Sequence, residues 1–238
     1  MAGFNMKTNN IFQHIVIAFA LTNIFLTDGI SREFEKSTAA IVTKVIQAVE
    51  HKSGDAVWMS TKPLTQLETS DVLRTGERSL AIVRFLDGSN LRIREKTTIT
   101  IYADKKPNGI SKNTRIDKGK MRFETEKQTG DDEFLITTPT AVASIRGTAG
   151  LVSIFGDGST MLTLDSGRVD IRATLGIQQS GIVEGGMTAL ISPEGNVSID
   201  YSTEEQLNES RKSTMTKEKY IIIQTNVGTF RLNYLDHE

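Results

Sequence analysis

Thr137-Thr138-Pro139-Thr140-Ala141-Val142-Ala143-Ser144-Ile145-Arg146-Gly147-Thr148-Ala149-Gly150 is the stretch around which the rest of the chain is read. Proline has no backbone donor and a fixed φ, so Pro139 suits the start or edge of a strand. Small and β-branched residues follow up to Arg146, where Gly147 lets the chain turn or approach another backbone. The next run, Leu151-Val152-Ser153-Ile154-Phe155-Gly156-Asp157-Gly158-Ser159-Thr160-Met161-Leu162-Thr163-Leu164, places two β-rich segments around an Asp157-Gly158 turn. It is the plainest hairpin signal in the sequence.

Upstream, Asp87-Gly88-Ser89 repeats that turn and reverses Leu80–Phe85 into Asn90–Arg94. Leu91 and Ile93 then share one face and Arg92 and Arg94 the other, which predicts a sheet with one dry and one wet face. Those arginines, with Arg84 on the partner strand, form either a patch for an anionic group or an ordinary solvated face. A second echo links Asp117-Lys118-Gly119-Lys120-Met121-Arg122-Phe123 with Asp165-Ser166-Gly167-Arg168-Val169-Asp170-Ile171. Near the start, Val45 to Val49 and Ala56 to Met59 flank a Ser53-Gly54-Asp55 turn, and Trp58 is assigned to core or hairpin packing. Thr97–Tyr102 reads as strand, 103–114 as a polar loop and 128–133 as a solvated acidic turn. Residues 171–177, 181–184, 188–192 and 197–201 read as further short strands between glycines and Pro193. Together these predict an all-β fold, a sandwich, roll or short β-solenoid of stacked hairpins, although the echoes are too unevenly spaced for a regular repeat.

The two ends differ from this middle. A polar start carrying Lys7 precedes the apolar segment 11–26, so residues 1–30 read as a signal peptide or a retained N-terminal anchor. The β domain is placed at 40–201. Over 202–238 the composition becomes charged, with Thr203 and Gln206 spaced for a capping box at the head of an exposed linker helix. A terminal hairpin follows around Asn226-Val227-Gly228, either docked on the domain or projecting as a free edge.

Chemistry is thinly represented. Charged residues are 24% of the chain and the formal net charge is −1, which gives no overall drive toward nucleic acid or an anionic membrane. There is no cysteine, and the histidines, His14, His51 and His237, are far apart, so neither thiol chemistry nor a histidine metal centre is expected. Phosphate loops, dinucleotide fingerprints, nucleophile elbows and zinc-protease helices are all missing from the sequence. The expectation is therefore a non-enzymatic protein without a cofactor. The residues singled out for structural or interaction roles are Pro139, Arg146, Gly147, Thr148, Asp157 and Gly158. Arg146 either presents its fork to a ligand or binds Asp157, Asp165 or strand-end carbonyls within the fold. The internal role is expected, with Arg146→Lys lowering the melting temperature substantially.

The Thr138–Thr148 run, the Asp157-Gly158-Ser159 turn, Asp165-Ser166-Gly167-Arg168-Val169 and Phe85-Leu86-Asp87-Gly88-Ser89 together resemble the FecR domain, over roughly residues 45–195. The resemblance implies an exported, periplasmic or envelope-located β domain that binds a protein or glycan partner. The alternative it implies is a membrane-anchored signal transducer linking iron-complex uptake to a sigma factor. Transducers of that kind carry a substantial cytoplasmic segment before a membrane helix, whereas about ten residues precede the apolar segment here. The free interaction module is thus the leading expectation, with membrane contact only through 11–26 if the leader is retained. The shared motifs are turn and strand residues, so no functional residue carries over.

Overall fold

The computed structural model describes residues 38–106, 109–127, 132–212 and 218–235. The leader expected at 1–30 lies outside them. Strands take up 63% of the structure and helix 4%, in agreement with the all-β expectation.

Strands β1 (Thr38–Ile46), β4 (Gln66–Glu68), β6 (Leu80–Phe85), β7 (Asn90–Ile93), β12 (Ala149–Ile154), β13 (Thr160–Ser166), β16 (Met187–Ile191) and β17 (Val197–Tyr201) belong to one sheet. The other contains β2 (Val49–Ser53), β3 (Met59–Ser60), β5 (Asp71–Thr75), β8 (Thr98–Lys106), β10 (Glu133–Thr137), β11 (Ala141–Ile145), β14 (Arg168–Ala173) and β15 (Ser180–Glu184). The long strand β9 (Gly109–Glu124) serves both. Its first half pairs with β8 and β10, and its second half with β7 and β12. The first sheet runs β4-β1-β6-β7-β9-β12-β13-β16-β17, the second β3-β2-β5-β8-β9-β10-β11-β14-β15. All these pairings are antiparallel except β9 with β10. The chain therefore stacks hairpins alternately on two sheets, and the two inner faces enclose one core.

Period-two alternation builds that core, because every second residue of a strand points inward. Ala141, Ala143 and Ile145 of β11 are buried while Val142 and Ser144 face out. Phe85 and Phe134 meet edge to face across the interior, centroids 5.4 Å apart. The Asp-x-Gly echo marks where the chain changes sheet. Gly119 (φ +93°) and Gly167 (φ +86°) hold left-handed corners, and a Cβ would stand 2.2 Å from Thr97 Oγ1 at the first and 2.4 Å from Thr148 Cγ2 at the second. Threonine hydroxyls take over the hydrogen bonds that the ladders lose at corners. The Lys120 amide donates to Thr97 Oγ1 (3.0 Å), and the Thr148 amide to Thr125 Oγ1 (3.0 Å).

Several local expectations need correction. Residues 103–114 are not a loop, because β8 and β9 form one long hairpin in which Tyr102 faces Asn113 and Lys106 faces Gly109. Tyr102, Ser111 and Asn113 fit the half-wet outer face while Lys112 and Thr114 point inward, so pairing decides over composition. Trp58 is outside the core and stacks on the Arg74 guanidinium, 3.9 Å from the ring centroid, packing the β2–β5 surface. Helix α1 (Glu204–Lys212) has the expected capping box, Gln206 N to Thr203 Oγ1 at 3.2 Å and Thr203 N to Gln206 Oε1 at 2.8 Å. It is no exposed linker, however, because Ser210 is fully buried against Arg122 and Asp165 of the first sheet. Strands β18 (Glu218–Thr225) and β19 (Gly228–Leu235) form the terminal hairpin, with residues 220–232 exposed. No helix among the described residues is long and apolar enough to cross a membrane.

Candidate functional site

The outer face of the second sheet carries in-register rows of side chains. One runs Tyr102, Asn113, Leu135, Ser144, Asp170, Ile182 across six strands. The adjacent row runs Thr100, Arg115, Thr137, Val142, Arg172, Ser180. Where the rows reach β11, β14 and β15 the side chains beside Asp170 and Arg172 are short. A groove of 780 Å³ opens there, lined by Val142, Ser144, Asp170, Arg172, Gln178 and Ile182 among others. Gln178 closes one side, accepting a long bond from Arg172 Nη2 (3.4 Å) and donating to the Thr174 carbonyl (3.4 Å). Leu175, Ile177 and Ile182 add exposed apolar surface around it.

Ser144 also lines a second cleft of 330 Å³, together with Lys106, Asp132, Glu133 and Arg146. Here Lys106 Nζ lies 3.1 Å from Glu133, which also accepts from Ser111 Oγ at 3.2 Å. The Lys106 hydrogen bond holds the Glu133 carboxyl below its ordinary range against the opposing effect of burial, helped by Ser111 and by the charges of Lys106 and Arg146. The two clefts meet at Ser144, so one strip of surface presents Arg172, Asp170, Ser144 and Arg146 in sequence.

The residues singled out in the sequence fall into three places. Pro139 stands just before β11, between Thr138 and Thr140, whose hydroxyls both bond Thr160 Oγ1 at 2.8 Å. Thr138 Oγ1 also accepts from the Ala141 amide at 2.9 Å. This closes the turn into the strand. Arg146, Gly147 and Thr148 form the corner between β11 and β12. Thr148 is buried, and Gly147 sits at φ +73° with its Cβ position 3.1 Å from Lys127 Cα. Asp157 and Gly158 occupy the turn between β12 and β13 and do not line the groove.

Neither of the carboxylates considered for Arg146 is its partner. Its side chain is exposed, Asp165 is taken by Arg122 and Ser210, and Asp157 accepts from its own neighbour Ser159. The Arg146 charge acts on Glu133 at the cleft. Sequence reasoning missed Asp170, Arg172 and Gln178. The available signal was the alternation Arg168, Asp170, Arg172 along one strand face, beside strands whose outward residues, Val142, Ser144 and Ser180, are small. Among the described residues no group of three His, Asp or Glu side chains could hold a metal ion.

Comparison with curated proteins yields no match. Two crystal structures of a candidate anti-sigma factor from Parabacteroides distasonis, at 1.65 and 2.50 Å resolution, share the fold at TM-score 0.50 and 11% identity. Each alignment covers 66% of this chain, and 69% and 68% respectively of the other. At the level of sequence, residues 71–173, somewhat under half of the chain, match the family described as FecR protein, a span that includes β11, β14 and the Arg146 corner.

Proposed function

We propose that this protein is a non-enzymatic FecR-type regulatory module of the bacterial cell envelope, and that its groove on the second sheet takes an extended segment of a partner protein. The observation that carries the reading is the strip itself, an acid and a base two residues apart on β14 over an otherwise short-chained, partly apolar floor. A peptide offers backbone and side chains of both kinds to such a surface. Sugar rings bind by laying their C–H faces on aromatic rings, and the groove lining has no aromatic residue, which favours a protein over a glycan. The FecR domain supports the regulatory part, and the apolar leader at 11–26 supports export. The fold is also that of a candidate anti-sigma factor, although the charged strip here is read from this chain's own residues.

Transcript profiling of a deletion strain tests the proposal. Deletion should change a discrete set of transcripts, the wild-type gene should restore it, and the double variant Asp170→Lys, Arg172→Glu should not. Both positions are exposed, so the variant should fold with wild-type stability to within about 0.5 kcal/mol. Unaltered transcripts after deletion would remove the regulatory reading. Full restoration by the charge-reversed gene would remove the groove. Mass spectrometry of the mature N-terminus then separates a free exported module, cut near residues 27–31, from an anchored transducer that keeps its leader.

A further inference from the structure

The outer face of the first sheet has a different character, because four cations stand there as a cross-strand square. Arg92 lies on β7 and Arg94 immediately after its end, Lys120 and Arg122 on β9; Arg92 is directly opposite Arg122, and the Arg94 amide donates to the Lys120 carbonyl. Arg84, by contrast, lies opposite Asn90 and is no part of the square. Like charges facing each other across strands repel, so such a square needs anions. Glu124 supplies one, 3.2 Å from Arg122 Nε, and Asp165 pairs with Arg122 as well. The anion shared by the remaining corner comes from helix α1. Glu209 lies 3.0 Å from Lys120 Nζ and 3.8 Å from Arg94 Nη1.

The helix that brings this carboxylate is held by polar groups rather than by apolar area. Arg122 Nη1 donates to the Ser210 carbonyl (3.1 Å) and hydroxyl (3.0 Å), and the Ser210 hydroxyl bonds Asp165 at 2.9 Å. Gln206 reaches Thr188 at 3.4 Å, while Leu207 is half buried. The helix brings a cation too, Arg211, 4.0 Å from Asp165. Buried ionic contacts contribute little net stability once desolvation is counted, and half-exposed ones such as Lys120–Glu209 contribute less. An element attached in this way opens locally at low cost. Beside the square a cleft of 310 Å³, lined by Ile82, Asn90, Leu91, Arg92, Arg122 and Glu124, leaves room for a ligand.

We propose that the Arg92–Arg94–Lys120–Arg122 square is a binding site for an acidic peptide segment, and that α1 is its intramolecular occupant, displaced when such a segment binds. Glu209 stands where a carboxylate of the incoming peptide would sit. Displacement has a mechanical consequence for the terminal hairpin. Five residues, 213–217, separate α1 from β18, a reach of at most about 18 Å; once α1 lets go and unwinds, fifteen residues from Thr203 to Lys217 allow about 50 Å. The site is on the opposite sheet from the groove and does not depend on it.

The chain has no cysteine, so Leu207→Cys gives the full-length protein a single thiol on the helix. Its rate of modification, measured at fixed ionic strength with and without a hexaglutamate peptide, reports displacement. The peptide should accelerate labelling at least about threefold and saturably, while Val152→Cys, a core thiol, stays slow. Glu209→Gln should raise the basal rate and lower the peptide concentration for half effect, and Lys120→Gln should abolish the response. Fluorescence anisotropy of labelled hexaglutamate with the unmodified chain checks binding without the reporter. The proposal fails if sodium chloride at equal ionic strength does as much as the peptide, if Lys120→Gln responds like wild type, or if the anisotropy does not change.

Discussion

The turns at Asp87-Gly88-Ser89 and Asp157-Gly158-Ser159 are the same local chemistry in two surroundings. In both, the preceding phenylalanine amide donates to the serine carbonyl, Phe85 to Ser89 at 2.9 Å and Phe155 to Ser159 at 3.0 Å. In both, the serine amide and hydroxyl donate to the aspartate, at 3.1 and 2.9 Å in the first and 2.9 and 2.7 Å in the second. The difference is Lys112 of β9. Only 2% exposed, it pairs its ammonium with Asp87 and stands 5.9 Å from the Phe134 ring centroid. Burial pushes the Asp87 carboxyl up, yet the bonds from Lys112 and Ser89 outweigh it and hold the group below its ordinary value. Asp157 is exposed and is lowered by the Ser159 hydroxyl first, then by the Ser159 amide and its own amide, with no cation beside it among these causes. Local sequence thus makes the turn, and the long-range partner decides what the turn is worth.

The largest break in this comparison is Lys112→Ala. It strands the Asp87 charge and empties space beside Phe134, and should cost about 3–5 kcal/mol in urea unfolding. Lys112→Met, which keeps the stem, should recover part of that loss. A cost below about 1 kcal/mol for the alanine variant would mean that Asp87 is as well hydrated as Asp157, removing the distinction. Next comes Asp87→Asn, expected to cost about 1–3 kcal/mol at pH 7. A carboxyl whose folded pKa lies below its unfolded value contributes stability above the unfolded pKa and loses it as pH falls through the folded one. The gap between wild type and Asp87→Asn should therefore be full at pH 6–7 and close progressively below about pH 4. A gap independent of pH would show that charge is not what Asp87 contributes.

Lys112 also shows where sequence reading stops. The Asp-Gly-Ser and Asp-x-Gly echoes were legible because turns are written within four or five residues, and so was the capping box of α1, since Thr203 and Gln206 are three apart. The polar segment 103–114 was not, because its strand character comes from pairing and not from composition: 103–106 pair with 109–112 in the β8–β9 hairpin, and 111–114 pair with β10, some twenty residues further on. Lys112 looks solvated in a run of Ser, Lys, Asn and Thr, yet it is buried by Asp87, twenty-five residues away. Arg122 is the same case at longer range, since nothing near it in sequence points to Ser210, which meets it across 88 residues. The candidate site failed for a related reason. Arg146 was conspicuous beside Gly147, whereas Asp170 and Arg172 become a groove only when register sets them between short neighbours.

The two smallest effects sharpen the comparison instead of breaking it. Ser89 has no exposed surface, and its hydroxyl donates to Asp87 and accepts from the Glu126 amide at 3.3 Å. Ser89→Ala should cost about 1–2 kcal/mol, because two polar groups lose a partner that water cannot easily replace. Ser159→Ala should cost less, since the aspartate it serves is already in water. Asp157→Ala should cost least. The Phe155–Ser159 backbone bonds do not involve the side chain, solvent can take over the Ser159 donors, and the melting curve should overlay that of wild type. Should Asp157→Ala instead match Asp87→Asn, the aspartate would be acting in both places through the turn itself, and the burial supplied by Lys112 would explain nothing about the first.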